Sequence, residues 1–271
     1  MPDATSPSNP LVKRARGLRL KKNRDRERAF LVEGIQTVTA AVQSDAPVEL
    51  ILYAPELLAS EQALDVVEGT REAGVEVASL SKKAFESLSE RDNPTGLAAI
   101  VQTESRNVDQ LVVRGDSLFA VLLDVGNPGN LGAIIRTVDA VGGAGVIVFG
   151  ESTDLHHPGA VKASMGAIFS VPVCNALDFE QVASWAQQRG VTVVTTSAHA
   201  ESEHWSTEYL LPAAFVFGSE IRGLPRDILN RGDVAVRIPM AGSSTSLNLA
   251  VAAGILLYEA RRQVHLSSRS T

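Results

Sequence analysis

Four short stretches carry the residue types that could do chemistry together. They are "GNPGNLGAIIRT" (126–137), "SAHA" (197–200), "GSEIRG" (218–223) and "MAGSSTSLN" (240–248). In each, glycine and other small residues leave backbone N–H groups accessible, while Asn, Ser or Glu supply hydrogen-bonding side chains. The first also carries a cation. In a helix starting near Asn130, Leu131, Ile134, Ile135 and Val138 form one apolar stripe, and Arg136 falls off it. A helical side chain leans toward the helix start, so the guanidinium lies over Gly132 and Ala133 with open space beneath. Two uses fit such an arginine: a surface pair with Asp139, or a grip on an anion. A dinucleotide turn competes, but it expects G-x-G-x-x-G; here the spacing is G-x-x-G-x-x-G with Pro128 inside, although Glu151 or Asp154 could hold a ribose.

The elements that must position these stretches are legible around them. Strands are expected at 118–124, 144–149, 170–173, 191–196, 213–217 and 233–238, with helical segments between most of them. Near-continuous apolar runs of this kind suit parallel strands covered on both faces. Ligands of open parallel sheets sit beyond the carboxyl ends of the strands, which is where all four stretches fall. In the last, Thr245 or Ser246 can cap the following helix. Ala250, Ala253 and Gly254 give that helix a small-residue face, for core packing or for a subunit contact. Upstream, "AFLVEG", "VELILYA", "VEVASL" and "GLAAIVQ" read as strands between helical segments, with Ser60 placed to cap one helix. The expected organisation is a basic arm (1–28), a small α/β domain (29–103), a polar linker (104–116) and a larger parallel-sheet domain (117–265).

The composition narrows the class. One cysteine, Cys174, excludes an internal disulfide and a multi-cysteine metal cluster, and the five histidines lack zinc-ligand spacing. The opening "MPDATSPSNP" has no secretory apolar core, and "LNLAVAAGILLY" is too short to span a bilayer. A cytoplasmic protein with neither metal nor membrane is expected. The net charge of −6 hides an asymmetry: residues 13–28 hold nine Lys or Arg against Asp25 and Glu27. Such a block is a solvated helix face or a phosphate-binding arm, and without interleaved aromatics it would position a nucleic-acid backbone rather than read bases.

The larger domain resembles the SpoU (TrmH-like) family of SPOUT RNA methyltransferases. "NPGNLGAIIRT" resembles the first family motif, with Asn130, Gly132 and Arg136 at its core. "FVFGSEIRGLP" resembles the second, with Gly218, Glu220 and Gly223. "IPMAGSSTSLNLAVAAGILLYE" resembles the third, with Ile238, Pro239, Ser246, Leu247 and Asn248. The first domain is a looser match to the substrate-binding domain of rRNA-directed members, through "FLVEGIQTVTAAV" and "NPTGLAAIV". The resemblance implies an α/β fold whose parallel sheet is closed by a deep trefoil knot, a rare exception to unknotted chains. It implies S-adenosylmethionine held by Thr196, Gly218, Ile238, Ser246 and Leu247, and a homodimer. The implied reaction is methyl transfer to a ribose 2′-hydroxyl, most directly in 23S rRNA. A tRNA substrate, or a non-catalytic RNA-binding module on the same scaffold, is the alternative.

The implied catalytic set is Arg136, Asn130, Glu220, Ser246 and Asn248. A 2′-hydroxyl is a poor nucleophile, so its developing charge must be offset and its attack aligned. A guanidinium stays protonated, which suits Arg136 to donate to an alkoxide and a phosphate rather than to act as a base. Glu220 would orient Arg136 or the ribose, and Asn130, Ser246 and Asn248 would complete the frame. The residues expected to meet RNA are Lys13, Arg14, Arg16, Arg19, Lys21, Lys22 and Lys162. Lys162 lies in "STDLHHPGAVKAS", where the family commonly shows an arginine; it keeps the charge but not the planar fork.

Overall fold

A computed structural model describes residues 3–267, and its contacts divide the chain into two compact units. The first comprises the residues up to Glu104 together with Asp154–Ser170; the second comprises Ser105–Thr153 and the residues from Val171 onward.

The first unit contains α1 (Pro10–Gly17), α2 (Lys21–Glu27), β1 (Ala29–Glu33), α3 (Ile35–Gln43), β2 (Val48–Tyr53), α4 (Glu61–Glu72), β3 (Glu76–Ser79), α5 (Lys82–Leu88) and β4 (Leu97–Gln102). Its four strands lie in the order β1-β4-β2-β3. Side-chain alternation sends Leu50, Leu52, Ala98 and Ile100 to one core with Val12, Ala15, Leu18 and Phe85, and Ile51, Leu97, Ala99 and Val101 to another with Val38, Ala41 and Val67. Helices therefore cover both faces. Ser60 caps α4 as its position predicts, accepting from the Ala63 N–H at 3.4 Å.

Two boundaries differ from the sequence-based division. The basic segment is not a separate arm: α1 is amphipathic, and Val12, Ala15 and Leu18 are fully buried in the unit's core. The stretch 154–170, assigned to the larger domain, forms α7 (Pro158–Ser164) and α8 (Ala167–Ser170), and its Val161 joins the core of the first unit. The pattern of charge masked the one, and strand counting along the chain masked the other.

The second unit contains β5 (Leu118–Leu123), α6 (Pro128–Ala140), β6 (Gly145–Phe149), β7 (Val173–Asn175), α9 (Phe179–Arg189), β8 (Thr192–Thr196), β9 (Ser202–Glu203), β10 (Ala213–Phe217), α10 (Arg226–Leu229), β11 (Val234–Arg237) and α11 (Leu249–Ser267). Its seven strands run in the order β7-β6-β5-β10-β8-β11-β9, and every pairing is parallel. β5 and β10 are buried along their whole length, as their continuous apolar runs require. β7 begins at Val173 rather than 170, because residues 167–170 form α8 and Pro172 has no N–H for the ladder. The expected linker is also not free: Val108 and Leu111 are buried in the second unit's core beside Trp185 and Phe119.

Strands after β5 build outward in two directions, β6 and β7 on one side and β10, β8 and β11 on the other. The boundary between β5 and β10 is thus the topological switch point, where an open parallel sheet forms its crevice.

Candidate active site

The turn after β5 is built by an asparagine cap. Asn127 Oδ1 accepts from the N–H groups of Gly129 (2.8 Å) and Asn130 (3.3 Å), and Pro128 occupies the first helical position, where no N–H is needed. The predicted stripe of α6 is correct: Leu131, Ile134, Ile135 and Val138 are all fully buried. That burial fixes the rotation of α6 and leaves Asn130 half-exposed and Arg136 exposed on its open faces.

Across the switch point, the loop after β10 folds tightly on itself. Ser219 and Gly223 form a bridge, and Ser219 Oγ accepts from the Arg222 N–H at 3.0 Å. Gly218 is obligatory there, since a Cβ would collide with the backbone of Gly223 and Leu224. The loop presents Glu220 to the turn after β5. Asn130 Nδ2 donates to Glu220 Oε1 at 3.0 Å, and the Gly126 N–H makes a longer contact to Oε2 at 3.4 Å. Asn248 Nδ2 donates in turn to Asn130 Oδ1 at 2.9 Å. Asn248 also caps α11, its Oδ1 accepting from Ala250 N–H (2.9 Å) and Val251 N–H (3.3 Å). Three loops are thereby joined by one chain of polar side chains, with Asn130 lying 90 residues from Glu220 and 118 from Asn248 in sequence.

Partial burial would raise the Glu220 carboxyl. Donation from the Asn130 amide and from the backbone N–H groups of Glu220, Gly126 and Asn127 outweighs it and holds the group below its ordinary value. Glu220 is therefore an anion whose oxygens are already engaged.

The remaining expected residues divide. Thr196, Gly218 and Ile238 follow or end β8, β10 and β11, which are neighbours in the sheet, so the structure gathers them at one edge. Thr196 Oγ1 is turned to the Val216 carbonyl at 2.9 Å, and Ile238 is half-buried. Leu247 and Ser246 are exposed in the loop before α11; the Ser246 side chain makes no hydrogen bond among the described residues. The helix cap expected at Thr245 or Ser246 is provided by Asn248 instead, because α11 starts at Leu249. Arg136 makes no hydrogen bond or ion pair among the described residues, so neither Asp139 nor Glu220 holds it. Of the two partners expected for Glu220, Arg136 or the ribose, Arg136 is not in contact; its carboxylate oxygens accept instead from Asn130 Nδ2 and the Gly126 N–H. Part of the small face of α11 packs within the chain: Ala253 is fully buried and Gly254 faces Thr137 of α6, while Ala250 is only half-buried.

Among the residues expected to meet RNA, several are consumed by folding. Arg14 forks onto Glu49 (2.6 and 2.8 Å) and reaches Glu27 (2.9 Å), and Arg19 donates to the carbonyls of Leu88 and Ser89. Lys21 pairs with Asp25 at 3.4 Å. The side chains of Lys13, Arg16, Lys22 and Lys162 make no hydrogen bond or ion pair among the described residues. Sequence reasoning missed Asn127 as the cap of α6, although an Asn-Pro-Gly run after a strand signals one. No described group of His, Cys, Asp and Glu could hold a metal, and no described helix is long and apolar enough to cross a membrane.

A parallel α/β sheet with a polar frame at its switch point defines a class of ligand-binding enzymes, and comparison with known proteins narrows it. Residues 117–258 match the SpoU rRNA Methylase family, and residues 9–99 match the MRM3-like substrate binding domain. The chain is 32% identical over 90% of its length to a 23S rRNA (uridine(2479)-2′-O)-methyltransferase of Streptomyces viridochromogenes, covering 86% of that protein. It is 31% identical to a 23S rRNA (guanosine-2′-O-)-methyltransferase of Vibrio cholerae, covering 86% of this chain and 96% of that one. An AdoMet-bound rRNA methyltransferase from Sinorhizobium meliloti superposes with a TM-score of 0.88 at 34% identity, covering 96% of this chain and 97% of the other. The chain belongs to the SpoU rRNA methylase family, as its three motifs indicated.

Proposed function

We propose that this protein methylates a ribose 2′-hydroxyl of 23S rRNA, using S-adenosylmethionine. One observation carries the reading: the Glu220–Asn130–Asn248 chain stands at the switch point, beside the adjacent strand ends that bear Thr196, Gly218 and Ile238. These residues fit the cofactor. Gly218 lets two stretches of backbone close together, and Ile238, half-buried Met240 and Leu247 offer apolar surface for a base and a thioether chain. When bound, the cofactor supplies an electrophilic methyl group on a sulfonium.

The chain's own residues do the rest. Arg136, with no partner among the described residues, donates to the developing alkoxide and to the adjacent phosphate. Glu220 is ionised and fixes the Asn130 amide, so that amide meets RNA in one orientation. Asn248 ties the start of α11 to the same frame, and Ser246 completes it. Because the Glu220–Asn130–Asn248 chain is preassembled, orientation supplies much of the rate. Lys13, Arg16, Lys22 and Lys162 grip the RNA backbone.

The finer assignments belong to the same proposal. The segment from Ile238 to Asn248 passes through the trefoil knot of the family. The protein acts in the cytoplasm, where ribosomes are assembled, as a homodimer. Val251 and Tyr258, two turns apart on α11, are each half-exposed or more, and Leu247 before them is also exposed; a second copy covers this largely apolar face. Sedimentation of the wild type and of Tyr258→Glu tests the dimer.

The decisive experiment is incubation with labelled S-adenosylmethionine and 23S rRNA lacking the modification, followed by mapping of 2′-O-methyl stops. One new stop in 23S rRNA is expected. Label found on tRNA alone, or on a base, would overturn the reading.

A further inference from the structure

We infer that Asp124, which no motif resemblance singles out, is a positioning residue for methyl transfer. The inference rests on the function proposed above. Asp124 directly follows β5 and stands immediately before the turn that carries Gly126, Asn127 and Asn130. Its φ of +50° places it in the left-handed region, which few residues other than glycine and Asn or Asp tolerate. A non-glycine residue held there persists only where its surroundings fix it, and such positions gather at working sites.

The surroundings do fix it. Asp124 Oδ1 accepts from the Glu151 N–H at 2.7 Å, and the Asp124 N–H donates to the Phe149 carbonyl at 3.2 Å. Gly150 (φ +73°) lies against the carboxylate so closely that a Cβ there would collide with Asp124 Oδ1. The next residue is held by the same loop. Val125 N–H donates to Ser152 Oγ at 3.1 Å, Ser152 Oγ donates to the Phe149 carbonyl at 3.0 Å, and Thr153 N–H donates to the Val125 carbonyl at 2.7 Å. One residue further on, the Gly126 N–H faces Glu220. Residues 124–125 are thus clamped to the loop after β6 on one side, and they launch the Asn130–Glu220 frame on the other. Asp124 acts through that frame, setting where Asn127, Asn130 and the start of α6 lie.

Three substitutions separate the backbone from the side chain. Asp124→Asn keeps both the tolerance for positive φ and the Oδ1 acceptor. Asp124→Gly keeps the turn but removes the grip on Glu151 N–H. Asp124→Ala removes both. The measurements are single-turnover methyl transfer to unmodified 23S rRNA and S-adenosylmethionine affinity by calorimetry, each on the full chain. Misplacing a reacting group slightly costs one to two orders of magnitude in rate. Gly and Ala variants are expected to fall roughly tenfold or more, and Asn to stay within about threefold of wild type, with cofactor affinity unchanged throughout. A Gly variant at the wild-type rate overturns the inference, because the grip would then do nothing. So does an Asn variant as slow as Ala, because the charge itself would then be at work, and so does a loss of cofactor affinity that tracks the loss of rate. If the wild type methylates no RNA, the functional reading fails by itself. Amide exchange then still decides the placement: Gly126 and Asn130 N–H groups must exchange faster in Asp124→Gly than in wild type, and equal rates overturn it.

Discussion

The basic helices of the first unit and the loop edge of the second use their charges in opposite ways. In α1 and α2 two arginines are matched inside the fold: Arg14 to Glu27 and Glu49, and Arg24, only 3% exposed, to Asp154 and the carbonyls of Leu18 and Arg19. At the loop edge the carboxylate and the amides satisfy one another, while Arg136 is left with no partner among the described residues. The block with nine basic residues spends Arg14, Arg19 and Arg24 on folding and leaves Lys13, Arg16 and Lys22 without a partner among the described residues, whereas the segment with one arginine spends none of its charge on folding. What folding leaves unpaired, rather than what a sequence window contains, is available to a substrate.

The strongest way to break this comparison is to remove each arginine in turn. Arg24→Ala strands the half-buried Asp154 carboxylate and two carbonyls, and deleting one partner of a buried pair costs about 3–5 kcal/mol. Denaturant unfolding should show that loss, and Arg24→Met combined with Asp154→Leu should recover much of it. Arg24→Ala with unchanged stability would end the claim that the basic helices are structural. Arg136→Ala should do the reverse. The unfolding midpoint and cofactor affinity stay at wild-type values, while methyl transfer falls by about 10²–10³-fold, the effect of removing a preorganised donor to developing charge. Equal loss of cofactor binding and rate would take that role away from Arg136.

Much of this edge was legible in the sequence. The apolar runs that became β5 and β10 suit buried parallel strands, and the stripe through Leu131, Ile134, Ile135 and Val138 fixes the face that Arg136 avoids. Which polar groups meet was not legible, because Asn130, Glu220 and Asn248 are brought together by strand order, which spacing along the chain does not specify. The basic segment failed for a different reason. Its acidic partners, Glu49 and Asp154, lie far away in sequence, so a local charge count could not see them. The crossover at 154–170 was misassigned because a chain segment between two strands of one sheet need not pack on that sheet.

Glu220→Gln sharpens the comparison at smaller amplitude. The amide oxygen can still accept from Asn130 Nδ2, but the amide NH₂ then faces the Gly126 N–H, where a carboxylate oxygen accepts. One contact survives and one becomes a clash of donors, so the rate should fall by roughly tenfold, about 1.4 kcal/mol. An unchanged rate would mean that the frame tolerates either group.

In the first unit, pH provides the corresponding test. Burial, ahead of the opposing pull of Asp154, lowers the pKa of His156, whose ring lies 4.4 Å from that of Phe30. The unfolded chain therefore takes up a proton near the ordinary histidine value while the folded chain does not. Stability should decline as pH falls below about 6.5, by at most about 1.4 kcal/mol per pH unit, until the folded ring itself protonates. His156→Phe should flatten that limb. The Asp154 carboxyl, held low by Arg24 despite its burial, contributes only further down, as pH falls below the ordinary aspartate range.

The smallest effect separates the cations that folding left free from those it used. Lys13 and Lys22 are exposed and make no ion pair among the described residues, whereas Arg14 is held by two glutamates. Each phosphate contact contributes close to one unit to the slope of log affinity against log salt. Lys13→Ala and Lys22→Ala should therefore each reduce the salt slope of RNA binding by about one while leaving unfolding unchanged. Arg14→Ala should leave that slope in place and lower stability, since it frees Glu27 and Glu49 to repel each other. Should Arg14→Ala change the salt slope as the lysines do, its carboxylates would be yielding it to phosphate. The two regions would then differ in degree rather than in kind.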